Sequence, residues 1–598
     1  MMRIDPNRLP SGTGVNFLVI AISSVMVAFW SGQFLPGPDY FLTPFVAQFQ
    51  PGVYSVSNGF YGLILLVIAS AAFGVLLPRR QRRAFGIADE IEPTHPARVK
   101  IEDLAQAMSV RVDLFLSDRK IKNADAISFG IFRRKTMLLG KRLLLMSAKT
   151  PSAFLARAAH ELGHFKNGDV KYVMMSRALL QADLFIMAIV LVWMLFRPAR
   201  VVLMQYYLFI APAPGLPGAS PDLFFKLHGW QWASYWLDQT IGGLAITAPV
   251  FTFWMILLFL EYRSLLRTRE LLADAQAVAA VGAGPLLKTL TGARNDIAPT
   301  LLQHLYEFIS PHPLVVKRVE ALKRPEKVLK PGLLRYLFLG YLWSLTQSLA
   351  STIDIAMSIV EPDYGKIRSG ANPLVALAFV VRFENVTVSI LYLSMVAVLF
   401  ASYFLIVVAL LRSSLSARLE GRSFAGWSSV AIMQAIFILA GAVIGDAVRP
   451  YGQAVQATLS SYVMLGSKLS GLMFHPVGIA QVLQEAAPCV AFLATAFVFW
   501  IASGFILNGR RERPVRTVEW AVLAALSFLF AYQTYAVIWL GWTVPDAGNL
   551  SFYASGFGMS GFLMLMTAIV VVRIRGGLAR RQELEFRPPW LFVPSVAA

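Results

Sequence analysis

His160 and His164 lie one helical turn apart in the run TPSAFLARAAHELGHFKNGD. On a helix of about 3.6 residues per turn both imidazoles project from one face, and two imidazoles so placed can bind one zinc ion. Glu161, beside the first histidine, stands where a general base for an attacking water belongs. Thr150 reads as the N-cap of this helix, Pro151 as its first residue and Gly168 as its stop. The HExxH pattern is short and recurs by chance, so a helix with two surface histidines is its other reading.

A catalytic zinc needs a third protein ligand and an open position for water. The run RTRELLADAQAVAA offers Glu270 and Asp274, again one turn apart. Glu270 suits a ligand, and Asp274 suits a carboxylate that holds a histidine by its free ring nitrogen. A solvated acidic helix face is the competing reading of both. The chain has a single cysteine, Cys489, which excludes an intramolecular disulfide and a thiolate metal site, leaving His and carboxylate as ligands. His95, His228, His304 and His475 read as structural residues rather than ligands.

These residues must be positioned by a chain that is mostly membrane. Of 598 residues 57% are hydrophobic and only 15% charged, too little polar surface to coat a soluble globule of this size. The net charge of +20 would suggest nucleic acid on a soluble protein. Here the basic residues fall between apolar segments, which points to cytoplasmic loops and to no nucleic-acid partner. Runs long enough to cross a bilayer lie at about 14–34, 59–78, 179–196, 241–260, 334–360, 386–411, 428–447, 486–507, 520–542 and 555–574. The first reads as a retained anchor, because no small-residue cleavage site follows it.

Arg79, Arg80, Arg82 and Arg83 follow the second run, and Arg412, Arg418 and Arg422 the sixth. Arg510, Arg511, Arg513 and Arg516 follow the eighth, and Arg573, Arg575, Arg580 and Arg581 the tenth, whereas residues 35–58 hold no Lys or Arg. Alternate basic loops fit ten spans with both termini cytoplasmic. Two spans separate His164 from Glu270, and an even number of crossings returns Glu270 to the histidines' side. Glu270 follows the fourth run by about ten residues without Gly or Pro, so a continuing helix sets it roughly 15 Å beyond the membrane edge.

Five regions are expected: membrane spans over 1–78, a catalytic segment over 79–175, two spans over 176–260, a second, helical catalytic segment over 261–333, and a multi-span region over 334–598. In the first catalytic segment ARVKIEDLAQAMSV reads as helix, while RVDLFLSD and TMLLGKRLLLM read as short strands.

The runs AAHELGHFKNGDV, RTRELLADAQAVAA and SPHPLVVKRVEAL, in that order, resemble the three signatures of the HtpX-type integral-membrane zinc peptidases, the family that includes the CAAX prenyl proteases. The upstream NADAISFGIFRRKTMLLGKRLL is similar to that family's Asn-Ala segment before an edge strand. The resemblance spans roughly residues 60–325. It implies that His160, His164 and Glu270 are ligands of one zinc ion per chain, Glu161 the catalytic base and Asp274 the acid behind a ligand. It further implies that Asn123, His312 and Arg318 face the substrate or stabilise the transition state.

The expected protein is therefore an α-helical polytopic membrane protein of about ten spans with a cytoplasmic α+β zinc metallopeptidase domain. Its expected activity is endopeptidase cleavage of membrane or membrane-proximal polypeptides at the lipid bilayer. The bacterial relatives imply an inner-membrane location and a quality-control role, and the prenyl protease relatives imply specific C-terminal processing. A transporter with a peptidase-like domain and an inactive scaffold are the rivals of other classes. The first would place ionisable groups at mid-membrane, and the second would lack Glu161 or a ligand. The sequence leaves the oligomeric state open.

Overall fold

In the computed structural model, residues 12–32, 35, 51–85, 87–117, 126–130, 135–210, 221–291, 310–324, 330, 332–360 and 386–447, with positions 496, 500 and 503, are described. The apolar runs within this set form long helices: α1 (Gly12–Gly32), α2 (Pro51–Phe85), α6 (Asp169–Ile210), α7 (Pro221–Val281), α10 (Leu333–Val360), α11 (Val386–Leu419) and α12 (Phe424–Ala447). Among the described residues four stretches are long and apolar enough to cross a membrane: Gly12–Gly32, Gly59–Gln81, Asp169–Phe196 and Phe424–Gly445. The expected runs at 241–260, 334–360 and 386–411 are helical in α7, α10 and α11. Those at 520–542 and 555–574 lie outside the described residues, as does nearly all of 486–507.

The helix surfaces suit lipid. Ile64, Val67 and Ile68 of α2 and Leu184, Phe185, Val192 and Phe196 of α6 are exposed, an arrangement that water penalises and hydrocarbon does not. Small residues bring backbones together on the inner faces. A Cβ at Gly62 would come 2.0 Å from the Ala28 carbonyl oxygen, so α1 and α2 cross closely only because glycine stands there.

Between α2 and α6 the chain builds a four-stranded sheet. Its strands are β1 (Ile87–Glu90), β2 (Asp113–Ser117), β3 (Ala126–Phe129) and β4 (Thr136–Leu139), in the order β1-β2-β4-β3. β2 and β4 are parallel, with Leu114 opposite Met137, and the outer pairs are antiparallel. β3 is an edge strand, its Ser128 opposite Met137. Helix α3 (Pro96–Ala107) is capped by His95, whose ring accepts from the Ala97 amide. This gives the linker histidine a structural task.

The expected strand TMLLGKRLLLM ends earlier than its composition implies. Thr136–Leu139 pair as β4, but beyond Gly140 the chain turns into α4 (Lys141–Lys149). There Leu143 and Ser147, one turn apart, are buried. Helical spacing overrides the strand preference of the run. Helix α5 (Pro151–Lys166) then packs Phe154, Ala158 and Leu162 into the core that holds Met137, Leu139 and Leu143. Thr150 precedes it without a side-chain capping bond, and Gly168 takes a φ of +69° at the turn into α6. Helices α8 (Ala283–Thr291) and α9 (Val315–Lys323) follow α7.

Candidate active site

Two helices carry the site. α5 presents His160 and His164, and the C-terminal part of α7 presents Glu270 and Asp274. They approach at Gly163, where a Cβ would meet the Ala273 carbonyl oxygen at 3.0 Å and Gln276 Cβ at 3.1 Å. A glycine between the two histidines is thus what lets α7 come close enough for its carboxylates to reach them.

Ligand-capable atoms of His160, His164 and Glu270 all lie within 4.8 Å of one another. His160 Nε2 is 3.5 Å from Glu270 Oε2, and His164 Nε2 is 3.5 Å from Glu270 Oε1. The two rings stand edge to face, their centroids 4.9 Å apart. Both Nε2 atoms therefore converge on one carboxylate, and the Nδ1 atoms point outward. His160 Nδ1 meets Asp274 Oδ1 at 2.8 Å. His164 Nδ1 faces Asp169 Oδ2 at 3.7 Å.

Arg318, from α9, forks onto Asp274, with Nε to Oδ2 at 2.7 Å and Nη2 to Oδ1 at 2.6 Å. The structure thus places Arg318 behind His160, through Asp274, where the resemblance implied a residue facing the substrate or the transition state. Such a bidentate pair is strong and fixes orientation. His312 lies in the loop before α9, its side chain 63% exposed and its Nδ1 3.2 Å from Glu270 Oε2. Ser310 Oγ donates to the His312 carbonyl at 3.0 Å, which braces this loop. Asn123 lies outside the described residues.

Glu161 accepts a hydrogen bond from Ser128 Oγ of the edge strand at 2.6 Å. Sequence reasoning missed this contact, since one serine in the strand AISF carries no signature. It also left Asp169 without a role, although the residue closes the motif KNGD.

The charges suit a cation. Burial disfavours the charged form of Glu270, but the hydrogen bonds from His160 and His312 and the nearby imidazoles hold its carboxyl well below the usual range. Burial, reinforced by the Arg269 guanidinium, pushes His164 well down, which leaves a neutral imidazole with a lone pair. Those are the protonation states that metal ligands require. His160 behaves oppositely: burial lowers it, but hydrogen bonds to Asp274 and Glu270 and their charges prevail and push it up to about 10. Its proton offsets one of the two carboxylate charges, and the Arg318 guanidinium on Asp274 offsets the other. Burial raises Glu161, against the pull of His160 and Ser128. Donor set, convergence and charge all fit zinc.

Comparison with curated proteins finds no match, and comparison with solved structures finds none either. The family model for Peptidase family M48 matches residues 97–326, a span that opens within α3 and runs past α9, enclosing all the site residues above. The segment from α3 to α9 thus carries the match to a metallopeptidase family, which supports a peptide hydrolase.

Proposed function

We propose that the protein is a zinc-dependent endopeptidase acting on membrane or membrane-proximal polypeptides, in the quality control of membrane proteins. The observation that carries this reading is the continuity of the site with apolar helices. α5 ends at Lys166 and the stretch Asp169–Phe196, apolar enough to span a membrane, begins three residues later. A substrate emerging from a bilayer would meet His160 and His164 at its surface. One zinc ion per chain would be held by His160, His164 and Glu270, with the domain and both termini cytoplasmic, in a chain of about ten spans.

Bound there, zinc supplies Lewis acidity that polarises the scissile carbonyl and eases ionisation of water. The chain's own groups do the rest. β3 offers the edge that no described strand pairs, for a substrate strand to add by main-chain hydrogen bonds, a mode that tolerates many sequences. Asn123, just upstream, would hold that strand. Glu161 takes a proton from the attacking water and returns it to the leaving amine. His312, exposed beside Glu270, is placed to donate to the developing oxyanion. Arg318 and Asp274 keep His160 from turning.

The test measures zinc in the purified full-length protein and the cleavage of casein with and without a chelator. A stoichiometric zinc content with chelator-sensitive cleavage is expected. Zinc-free protein, or cleavage indifferent to chelation, would overturn the reading. Cleavage of many unfolded membrane proteins would favour quality control, and restriction to one C-terminal motif would favour specific processing.

A further inference from the structure

His160 and His164 are handled differently on their outer sides. His160 Nδ1 has a close carboxylate, Asp274, at 2.8 Å. His164 Nδ1 is buried and makes no hydrogen bond among the described residues. The carboxylate it faces, Asp169 Oδ2 at 3.7 Å, is fully buried too, and neither of its oxygens accepts a hydrogen bond there. Buried polar atoms without partners are rare, and a group of them at one spot calls for an explanation.

Two more such atoms lie at the same place. Thr13 Oγ1, in the first turn of α1, and Asn167 Nδ2 are buried and make no hydrogen bond at ordinary distance among the described residues. Both side chains, with Arg269, face Asp169. Gln276 of α7 donates to Asn167 Oδ1 at 3.1 Å, which leaves the amide nitrogen for Asp169. The set is complementary. Three donors, an imidazole N–H, a hydroxyl and an amide, surround one carboxylate whose two oxygens accept no other hydrogen bond among the described residues. A closure of about 1 Å would bring His164 Nδ1 to hydrogen-bond distance.

We propose that Asp169 is the positioning residue for His164, oriented in turn by Thr13 and Asn167, so that the first membrane helix braces the metal site. The inference rests on the zinc reading above. With Nε2 of His164 turned to a cation, the ring proton would sit on Nδ1, and Nδ1–H would donate to Asp169. Carboxylates behind histidine ligands set ring orientation and raise ligand basicity. Thr13 lies outside residues 97–326, so the metallopeptidase domain draws part of its support from a helix beyond its own boundary.

An aspartate beginning a helix also favours the helix dipole, a merely structural role. Zinc affinity separates the two. In the full-length protein in detergent, zinc is titrated against a fluorescent chelator, and the visible spectrum of the cobalt-substituted protein is recorded. Asp169→Ala should raise the zinc dissociation constant about 10–100-fold and shift the cobalt bands. Asp169→Asn, which keeps an acceptor oxygen but loses the charge, should lie between. Thr13→Val should weaken zinc in the same direction and Thr13→Ser should match wild type, a pair that decides the matter if Asp169→Ala fails to fold. Zinc affinity within twofold of wild type in Asp169→Asn and Thr13→Val, with unchanged cobalt bands, would overturn the proposal. Wild type without zinc would instead overturn the metal reading on which it stands.

Discussion

Glu161, Glu270, His312 and Arg318 are four polar residues around one site, yet their surroundings assign them different duties. Glu161 accepts from Ser128 and offers no ligand atom to the His160–His164–Glu270 group. Glu161→Gln should therefore retain zinc and lose hydrolysis, by about a hundredfold or more, since an amide cannot take a proton from water. Glu270→Ala should lose zinc and activity together. Zinc analysis beside a peptide assay checks both, and a cleaving Glu161→Gln would sink the assignment. His312 touches Glu270 from an exposed position, so His312→Ala should leave zinc in place and lower kcat roughly tenfold to a thousandfold. Arg318 acts through Asp274, so Arg318→Ala should loosen zinc as well as slow turnover, and equal zinc content in the two variants would contradict that distinction. The histidines and both glutamates were legible because metal chemistry demands fixed residue types at fixed helical spacing. The side on which Arg318 acts was not, because it depends on where α9 meets α7, and no local spacing encodes that approach.

At the scale of elements the site is a crossing of α5 over α7, and its tolerance is set by Gly163. A methyl there would meet the Ala273 carbonyl oxygen at 3.0 Å, and backbone yields less readily than a flexible side chain. Gly163→Ala should therefore push the helices apart by a few tenths of an ångström and cost about 1–3 kcal/mol. A lower melting temperature in detergent and weaker zinc binding are expected, because Glu270 moves with α7 while the histidines stay on α5. An unchanged melting curve with full zinc would show that the crossing is looser than the distances indicate. The helices themselves were readable from apolar periodicity, as were β2 and the start of β4. What failed was the end of β4: leucine-rich runs satisfy a buried strand and an amphipathic helix alike, and Gly140 decided between them. The edge position of β3 depends on the parallel pairing of β2 with β4, a long-range contact that alternation along one strand does not reveal.

At the scale of the whole molecule, the helices beyond the metallopeptidase domain hold the one that bears Glu270. Arg335 of α10 donates to Asn16 Oδ1 of α1 at 2.5 Å and lies 3.6 Å from Glu261 Oε1 of α7. Asn16 in turn reaches Ser264 and Thr268 of α7. Glu261 is nine residues before Glu270 on the same helix, about 14 Å along its axis. Composition gives the later spans few ionisable groups, which argues against a second catalytic unit there. It could not show that one of their arginines closes on α7, because that partner is distant in sequence. Ending the chain near Lys330 would remove this clasp together with any surface that recruits substrates, whereas a point variant separates them. Arg335→Met leaves Glu261, 5% exposed, without its nearest cation and with only Arg267 acting on it, and breaking a buried pair costs about 3–5 kcal/mol. Its melting temperature should fall, and its zinc retention with it. Adding Glu261→Gln should recover part of the loss, since the stranded charge is then removed. Cleavage of casein and of an integral membrane substrate should decline together, because the defect lies in the helix that holds the metal. A decline confined to the membrane substrate, with melting and zinc unchanged, would instead assign the later helices to substrate recruitment and dismiss the clasp.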